Sequence, residues 1–249
     1  MTDEMRGRRV LVTGAGSGIG LETAINLVKQ GAQVTALVET EEQRASLMHS
    51  VSELNVLVAN LLDLAVCKSL PVQAIHAMGG LDGVVCCAGV FYRGSSVQIT
   101  PEQWDRTFDL NLRSTFFLIK ASIAQMRLGQ ASDSSVVVVG SQLGQVGYPT
   151  AIAYASSKAA LNSVVMSLAL EFAEQGVRIN AVAPGPVRTP MTQAALSDSE
   201  SRARLIGGIP MGRVGEPREV SDAISFLLSS RASFITGQIL CVDGGYTVR

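Results

Sequence analysis

Val84-Val85-Cys86-Cys87-Ala88 and Val136-Val137-Val138-Val139 are apolar on both alternating sets of positions. Neighbouring side chains on a strand point to opposite faces, so a strand made from either run must be covered on both sides. Helices on the two faces of a parallel sheet supply that cover. The rest of the chain fits: the strands Val10–Thr13, Gln33–Val38, Asn55–Ala59, Gly83–Ala88, Ser135–Gly140, Arg178–Val182 and Gln238–Val242 alternate with helical patterns. The helical patterns are Gly18–Lys29, Glu41–His49, Ala65–Ala77, Pro101–Arg127, Ala151–Gln175 and Arg218–Ser229. Alternation of this kind predicts an α/β fold, a doubly wound parallel sheet of Rossmann type with helices on both faces. No linker interrupts it, so residues 1–249 are expected to form one domain. The stretch 186–217 holds Pro186, Pro190, Pro210 and Pro217 and is too long for a plain connection; it reads as an excursion that covers a site.

Composition narrows the function. Hydrophobic residues make up 47% and charged residues 16%, enough for a large core. Twenty basic against 21 acidic residues leave a net charge of −1, which offers no electrostatic grip on nucleic acid or an anionic membrane. The N-terminal residues lack the apolar core of a signal peptide, and no apolar run suits a membrane span. A cytosolic protein is expected. Cys67, Cys86, Cys87, Cys241, His49 and His76 show neither ligand spacing nor clustering, so no metal site is expected and the thiols read as buried and reduced.

Thr13-Gly14-Ala15-Gly16-Ser17-Gly18-Ile19-Gly20 follows the first strand and opens the first helix. Glycines let the backbone turn tightly against a pyrophosphate, and the helix N-terminus offers free N–H groups and a favourable dipole. The spacing is G-x-x-x-G-x-G rather than G-x-G-x-x-G, and position after a strand is what favours a dinucleotide over mere packing or a methyltransferase-type cofactor site. Glu39, just past the second strand, can accept hydrogen bonds from an adenosine ribose and would repel a 2′-phosphate, although it also reads as a solvated helix start. Ser17 brings no positive charge into the loop. Both favour NAD over NADP.

Tyr154 and Lys158 lie four residues apart, on one helical face. A phenol with its ordinary pKa near 10 is a poor base at neutral pH, and an adjacent ammonium is expected to lower it. Ser141 follows the valine-rich fifth strand, at the strand ends where the crevice of an open α/β sheet forms. Asn111 stands inside a long helical pattern that asparagine does not favour, either as a surface residue or where the helix ladder opens to hold a water.

In their order, Thr13–Gly20, Ala88-Gly89, Asn111, Ser141, Tyr154–Lys158 and Pro184-Gly185-Pro186-Val187 make the chain resemble the short-chain dehydrogenase/reductases over essentially its full length. The resemblance implies an NAD(P)-dependent oxidoreductase that interconverts a secondary alcohol and a ketone. Tyr154 would be the general acid/base and Ser141 would bind the substrate oxygen. Lys158 would hold the nicotinamide ribose, lower the Tyr154 pKa and pass protons to a water anchored at Asn111. The cofactor would lie along Gly14, Ser17, Gly18, Ile19, Gly20, Glu39, Asn60, Leu61, Cys87, Ala88 and Gly89, with Pro184, Gly185, Val187 and Thr189 at the nicotinamide. A homotetramer is also implied.

The chain departs from the family at Cys86-Cys87, where Asn-Asn is usual; a thiol poorly replaces an amide, and side-chain bracing there is in doubt. No basic neighbour in sequence activates Cys87, which argues against a reactive thiol. Gln142, Tyr148 and Met191 are the substrate-side candidates in a pocket that leans apolar, with Phe91 and Tyr92 beside them. Arg93, Arg202 and Arg204 could meet an anion, but arginines on loops are usually solvated. An NADP-dependent 3-oxoacyl reductase is the alternative within the fold. Its carrier-protein contacts would fall on Ser132 and Gln175, neither of them basic, although Arg127 and Arg178 are near in sequence. A non-catalytic dinucleotide-binding module is the alternative of another class.

Overall fold

The computed structural model describes residues 5–126, 129 and 133–248. Seven strands form one parallel sheet: β1 (Arg9–Thr13), β2 (Gln33–Val38), β3 (Asn55–Val58), β4 (Gly83–Cys86), β5 (Ser134–Val139), β6 (Val177–Pro184) and β7 (Ile239–Val242). Their spatial order is β3-β2-β1-β4-β5-β6-β7, so the chain winds outward, returns to the centre and winds out the other way. The reversal lies between β1 and β4, with Thr13 paired to Cys86 at their C-terminal ends. That is where an open α/β sheet leaves a crevice for a ligand.

The helices are α1 (Gly18–Lys29), α2 (Glu41–Ser50), α3 (Leu64–Met78), α4 (Pro101–Phe108), α5 (Thr115–Ile123), α6 (Ile152–Phe172), α7 (Pro190–Ser197), α8 (Ser199–Gly207) and α9 (Pro217–Leu228). Alternation along the strands divides the core in two. Val10, Val12, Val85, Val137 and Val139 pack with α1 and α9 on one face. Leu11, Val84, Val136 and Val138 pack with α3, α5 and α6 on the other. Every residue of β5 is buried, as a strand covered on both faces requires.

Several boundaries differ from expectation. β4 stops at Cys86 rather than Ala88, because the N–H groups of Cys87 and Ala88 leave the ladder and donate to the Thr13 hydroxyl at 3.2 and 3.5 Å. The stretch 101–127 is two α-helices separated by a π-turn, Asp109–Ser114, and its expected end Arg127 lies outside the described residues. There the Ser114 hydroxyl donates to Asp109 O at 2.8 Å and Thr115 reaches Leu110 O at 3.5 Å, both five residues back. Residues 186–217 contain α7 and α8 and are tied at their base. Arg188 N donates to Gly215 O and Gly215 N to Pro186 O, each at 2.9 Å, and Arg188 pairs with Glu216 at 3.0 Å. Among the described residues no helix is long and apolar enough to cross a membrane.

Candidate active site

Above the β1/β4 ends lies a cleft of about 870 Å3. Gly14, Ser17, Gly18, Ile19, Glu39, Asn60 and Leu61 line one end. Cys87, Ala88, Gly89, Ser141, Gln142, Tyr148, Tyr154 and Lys158 line the other, with Pro184, Gly185, Val187, Thr189 and Met191 as its far wall. Segments that are distant in sequence thus meet in one place, each carried by a strand end or the first turn of a helix.

The glycine loop has the shape a dinucleotide needs. Gly14 has φ +66, and a Cβ on it would stand 2.7 Å from Ala88 N. A Cβ on Gly20 would stand 2.2 Å from Gly14 O, so Gly20 permits the turn from inside and does not face the cleft. One on Gly16 would meet the Gln43 side chain at 2.4 Å. Gln43 and Thr40 form a capping box at the start of α2, and Thr100 with Gln103 does the same for α4. By contrast, Ser17 makes no side-chain cap on α1, and no acidic residue stands in its first turn. The first N–H groups of α1 are left to a ligand, and their dipole selects an anion. These residues fit a pyrophosphate. Glu39 is exposed at the cleft, its N–H donating to Gln43 Oε1 at 2.9 Å.

At the other end Ser141 and Lys158 are buried and Tyr154 is half-buried. Ser141 has extended backbone, and its hydroxyl accepts from Leu143 N at 3.1 Å. The Ser141 hydroxyl favours the phenolate of Tyr154, but burial dominates and pushes the phenol up to about 12. Lys158 is 4% exposed; its ammonium donates to Val139 O at 2.8 Å and lies 5.6 Å from the centre of the Tyr154 ring. Burial draws Lys158 down to about 8. Among this chain's own groups desolvation of the phenol outweighs the lowering expected from Lys158, to which oxidised nicotinamide was expected to add.

Asn111 sits in the π-turn, fully buried. Its amide accepts from Val90 N at 2.8 Å and donates to Val90 O at 3.0 Å and Ser157 Oγ at 3.2 Å. It lies behind the cleft and ties the segment after β4 to α6. Thr13 and Asn111 together brace β4's end where the usual amides are missing. Burial pushes the Cys87 thiol up to about 12 despite the Lys158 charge and the Gly20 N–H, both of which favour the thiolate. That shift disfavours the thiolate.

Two features had no sequence signal. Thr150 adopts φ 65, a left-handed conformation that a β-branched residue resists. Gly94 N donates to its carbonyl at 3.1 Å and Arg93 Nε to its hydroxyl at 3.4 Å, clasping the 90–95 loop over the site. That loop sets Phe91 against Tyr154, ring centres 4.8 Å apart. Tyr246, after β7, also lines the cleft. Elsewhere, Arg178 is buried and its two terminal nitrogens donate to Leu227 O, Leu228 O, Ser229 O and Asp133 within the fold. Ser132 lies outside the described residues. Among the described residues no group of three or more His, Cys, Asp or Glu side chains could hold a metal ion.

The chain is similar to known proteins in sequence and in fold. A family model described as enoyl-(acyl carrier protein) reductase matches residues 14–247. Glucose 1-dehydrogenase of Gluconobacter oxydans is 34% identical, covering 99% of this chain and 94% of that protein. L-Xylulose reductase of Bos taurus is 35% identical over 97% of both chains. A candidate 2-deoxy-D-gluconate 3-dehydrogenase from Agrobacterium tumefaciens, solved with bound NADP, superposes with a TM-score of 0.88 at 30% identity, covering 99% of each chain.

Proposed function

The chain belongs to the short-chain dehydrogenase/reductase family and is an oxidoreductase acting on CH–OH groups, and on that premise we propose that it interconverts a secondary alcohol and a ketone using NAD. One observation carries the reading: Ser141, Tyr154 and Lys158 converge in the same cleft that opens onto the uncapped start of α1. Tyr154 gives a proton to the carbonyl oxygen in reduction and takes it from the hydroxyl in oxidation. Ser141 holds that oxygen. Lys158 binds the nicotinamide ribose and returns protons through a relay that Asn111 positions. The bound nicotinamide supplies or accepts the hydride, and its oxidised form adds the positive charge that the buried phenol needs.

Preference for NAD rests on exposed Glu39 at the adenosine end of the cleft. The segment 186–217, tied at its base, acts as the lid, and the chain works as one cofactor-binding and catalytic unit. Leu170 (83% exposed) and Met166 (47%) on α6, with Phe234 (103%), are apolar surface suited to contact between copies in a homotetramer. Four unpaired thiols suit a reducing, cytosolic setting.

The test pairs Tyr154→Phe with fluorescence titration by NADH and NADPH. Carbonyl reduction over a panel of ketones should fall by about a thousandfold or more, while NADH binding changes little. Retained turnover would sink the acid/base assignment, and tighter binding of NADPH would sink the NAD preference. A non-catalytic module would show no turnover to lose, and it would have no use for a buried ammonium.

A further inference from the structure

Three buried side-chain atoms among the described residues have no hydrogen-bond partner: Arg8 Nε, Asn162 Oδ1 and Gln142 Oε1. Arg8 uses its other nitrogens on Asp133 and Asp82 O, and Asn162 donates to Gly144 O at 3.2 Å. Gln142 differs from both, because it lines the cleft. It is 4% exposed and follows Ser141 directly. Its amide lies against the bare face of Gly185, where a Cβ would come within 2.9 Å of Oε1. A Cβ at position 185 would also meet Asp243 Cα at 2.7 Å, so the glycine leaves room for the Asp243 backbone and the amide alike.

A buried amide without a partner costs about 1–3 kcal/mol, and an apolar side chain of the same shape would avoid that cost. Such a group at the edge of a cleft is explained by a partner that arrives with the ligand. Ser141 holds the reacting oxygen in the reading above, on which this inference rests, and Gln142 is its immediate neighbour. The group the amide meets therefore belongs next to the reacting carbon. An amide both donates and accepts, which suits a hydroxyl, itself donor and acceptor.

We infer that Gln142 hydrogen-bonds a hydroxyl on the carbon adjacent to the reacting one, so that the enzyme selects α-hydroxy ketones and vicinal diols over plain ketones and alcohols. Tyr148, Tyr246 and Arg204 also line the cleft, but Gln142 alone directly follows Ser141 in the chain. A site built to hydrogen-bond a substrate hydroxyl discriminates strongly against the analogue without it.

Acetoin and butanone differ by that one hydroxyl and are the probes. For the wild-type enzyme kcat/KM should favour acetoin on the order of 100-fold. Gln142→Met, of similar volume, should bring the ratio to within about threefold, without weakening NADH in fluorescence titration. Gln142→Leu is the second variant, should the first fold poorly. A wild-type enzyme with no preference, or equal losses on both ketones, overturns the assignment. NADH binding that weakens in step with turnover also overturns it, by giving the amide to the cofactor. If neither probe reacts, the hydroxy-ketone class falls, whereas Tyr154→Phe on the wider ketone panel still judges the proposed function separately.

Discussion

The two ends of the cleft are built on opposite principles. At the adenosine end, Glu39 and Asn60 are exposed and the backbone of the glycine loop does the work. At the catalytic end, Ser141 is buried, Lys158 is almost out of reach of water, and Tyr154 and Lys158 have strongly displaced pKa values. The first end holds an anion through shape and a helix dipole and sacrifices little stability. The second keeps ionisable groups where their charged forms are penalised, a cost that only chemistry justifies. Substitutions at the catalytic end should therefore trade stability against turnover, and those of the exposed side chains at the adenosine end should change binding alone.

Lys158→Met is the sharpest break. Turnover should fall by about a thousandfold. The Lys158 pKa is drawn from 10.5 to about 8 in the folded protein, so the unfolded chain binds more protons between those values. Lys158 therefore destabilises the fold below pH 8, and that penalty fades as pH rises toward 10.5. Replacement should add about 2 kcal/mol to stability at neutral pH, somewhat less than the shift alone implies because Val139 O loses its donor. Denaturant melts across the pH range test this; a gain that does not shrink as the solution becomes alkaline would contradict it.

Gly14→Ala attacks the adenosine end through its backbone. The new Cβ must push against Ala88 N, and φ +66 disfavours it regardless of space. NADH binding should weaken by at least about 30-fold, or ~2 kcal/mol, and calorimetry would show it. Thr150→Gly relieves a strained conformation worth about 1–3 kcal/mol, offset by about 0.5–1 kcal/mol of added chain entropy. The melting temperature should rise while turnover drops several-fold, because the Arg93–Thr150 clasp over Phe91 loosens. Loss of both together would show that the strain supports the fold rather than the site. Glu39→Ala should have the smallest effect: about a tenfold loss of preference for NADH over NADPH, with unchanged stability.

What the residue string conveyed follows the same division. Apolar runs such as Val136–Val139 have a period that reports two-sided burial, and the order of Gly14–Gly20, Ser141, Tyr154 and Lys158 places them at strand and helix ends. Local pattern suffices for that. Asn111 hinted at an opening of the helix ladder, but the form of the π-turn was not legible, because it depends on hydroxyls of Ser114 and Thr115 choosing carbonyls five residues back. Neither was the rise of the Tyr154 pKa, since desolvation comes from segments far apart in sequence closing over one phenol. Cys86-Cys87 looked like a weakness until Thr13 and Asn111 were seen to hold the adjoining backbone. Likewise, nothing in Pro149-Thr150-Ala151 announces a left-handed threonine.

The π-turn at Asp109–Ser114 also has a counting consequence. A helix that opens by one residue for a single turn carries one residue more than its neighbours along the axis require. Remove one residue there and the ladder closes into an ordinary α-helix. The flanking stretches would keep their phase, so Thr107 before and Leu118 and Ile119 after would still face inward. The extra residue is therefore dispensable to the core. What it alone provides is the reach of Asn111 to Val90 and Ser157. A one-residue deletion in this turn should leave a folded protein whose segment after β4 has come adrift from α6, separating the architecture from its alignment by subtraction rather than by substitution.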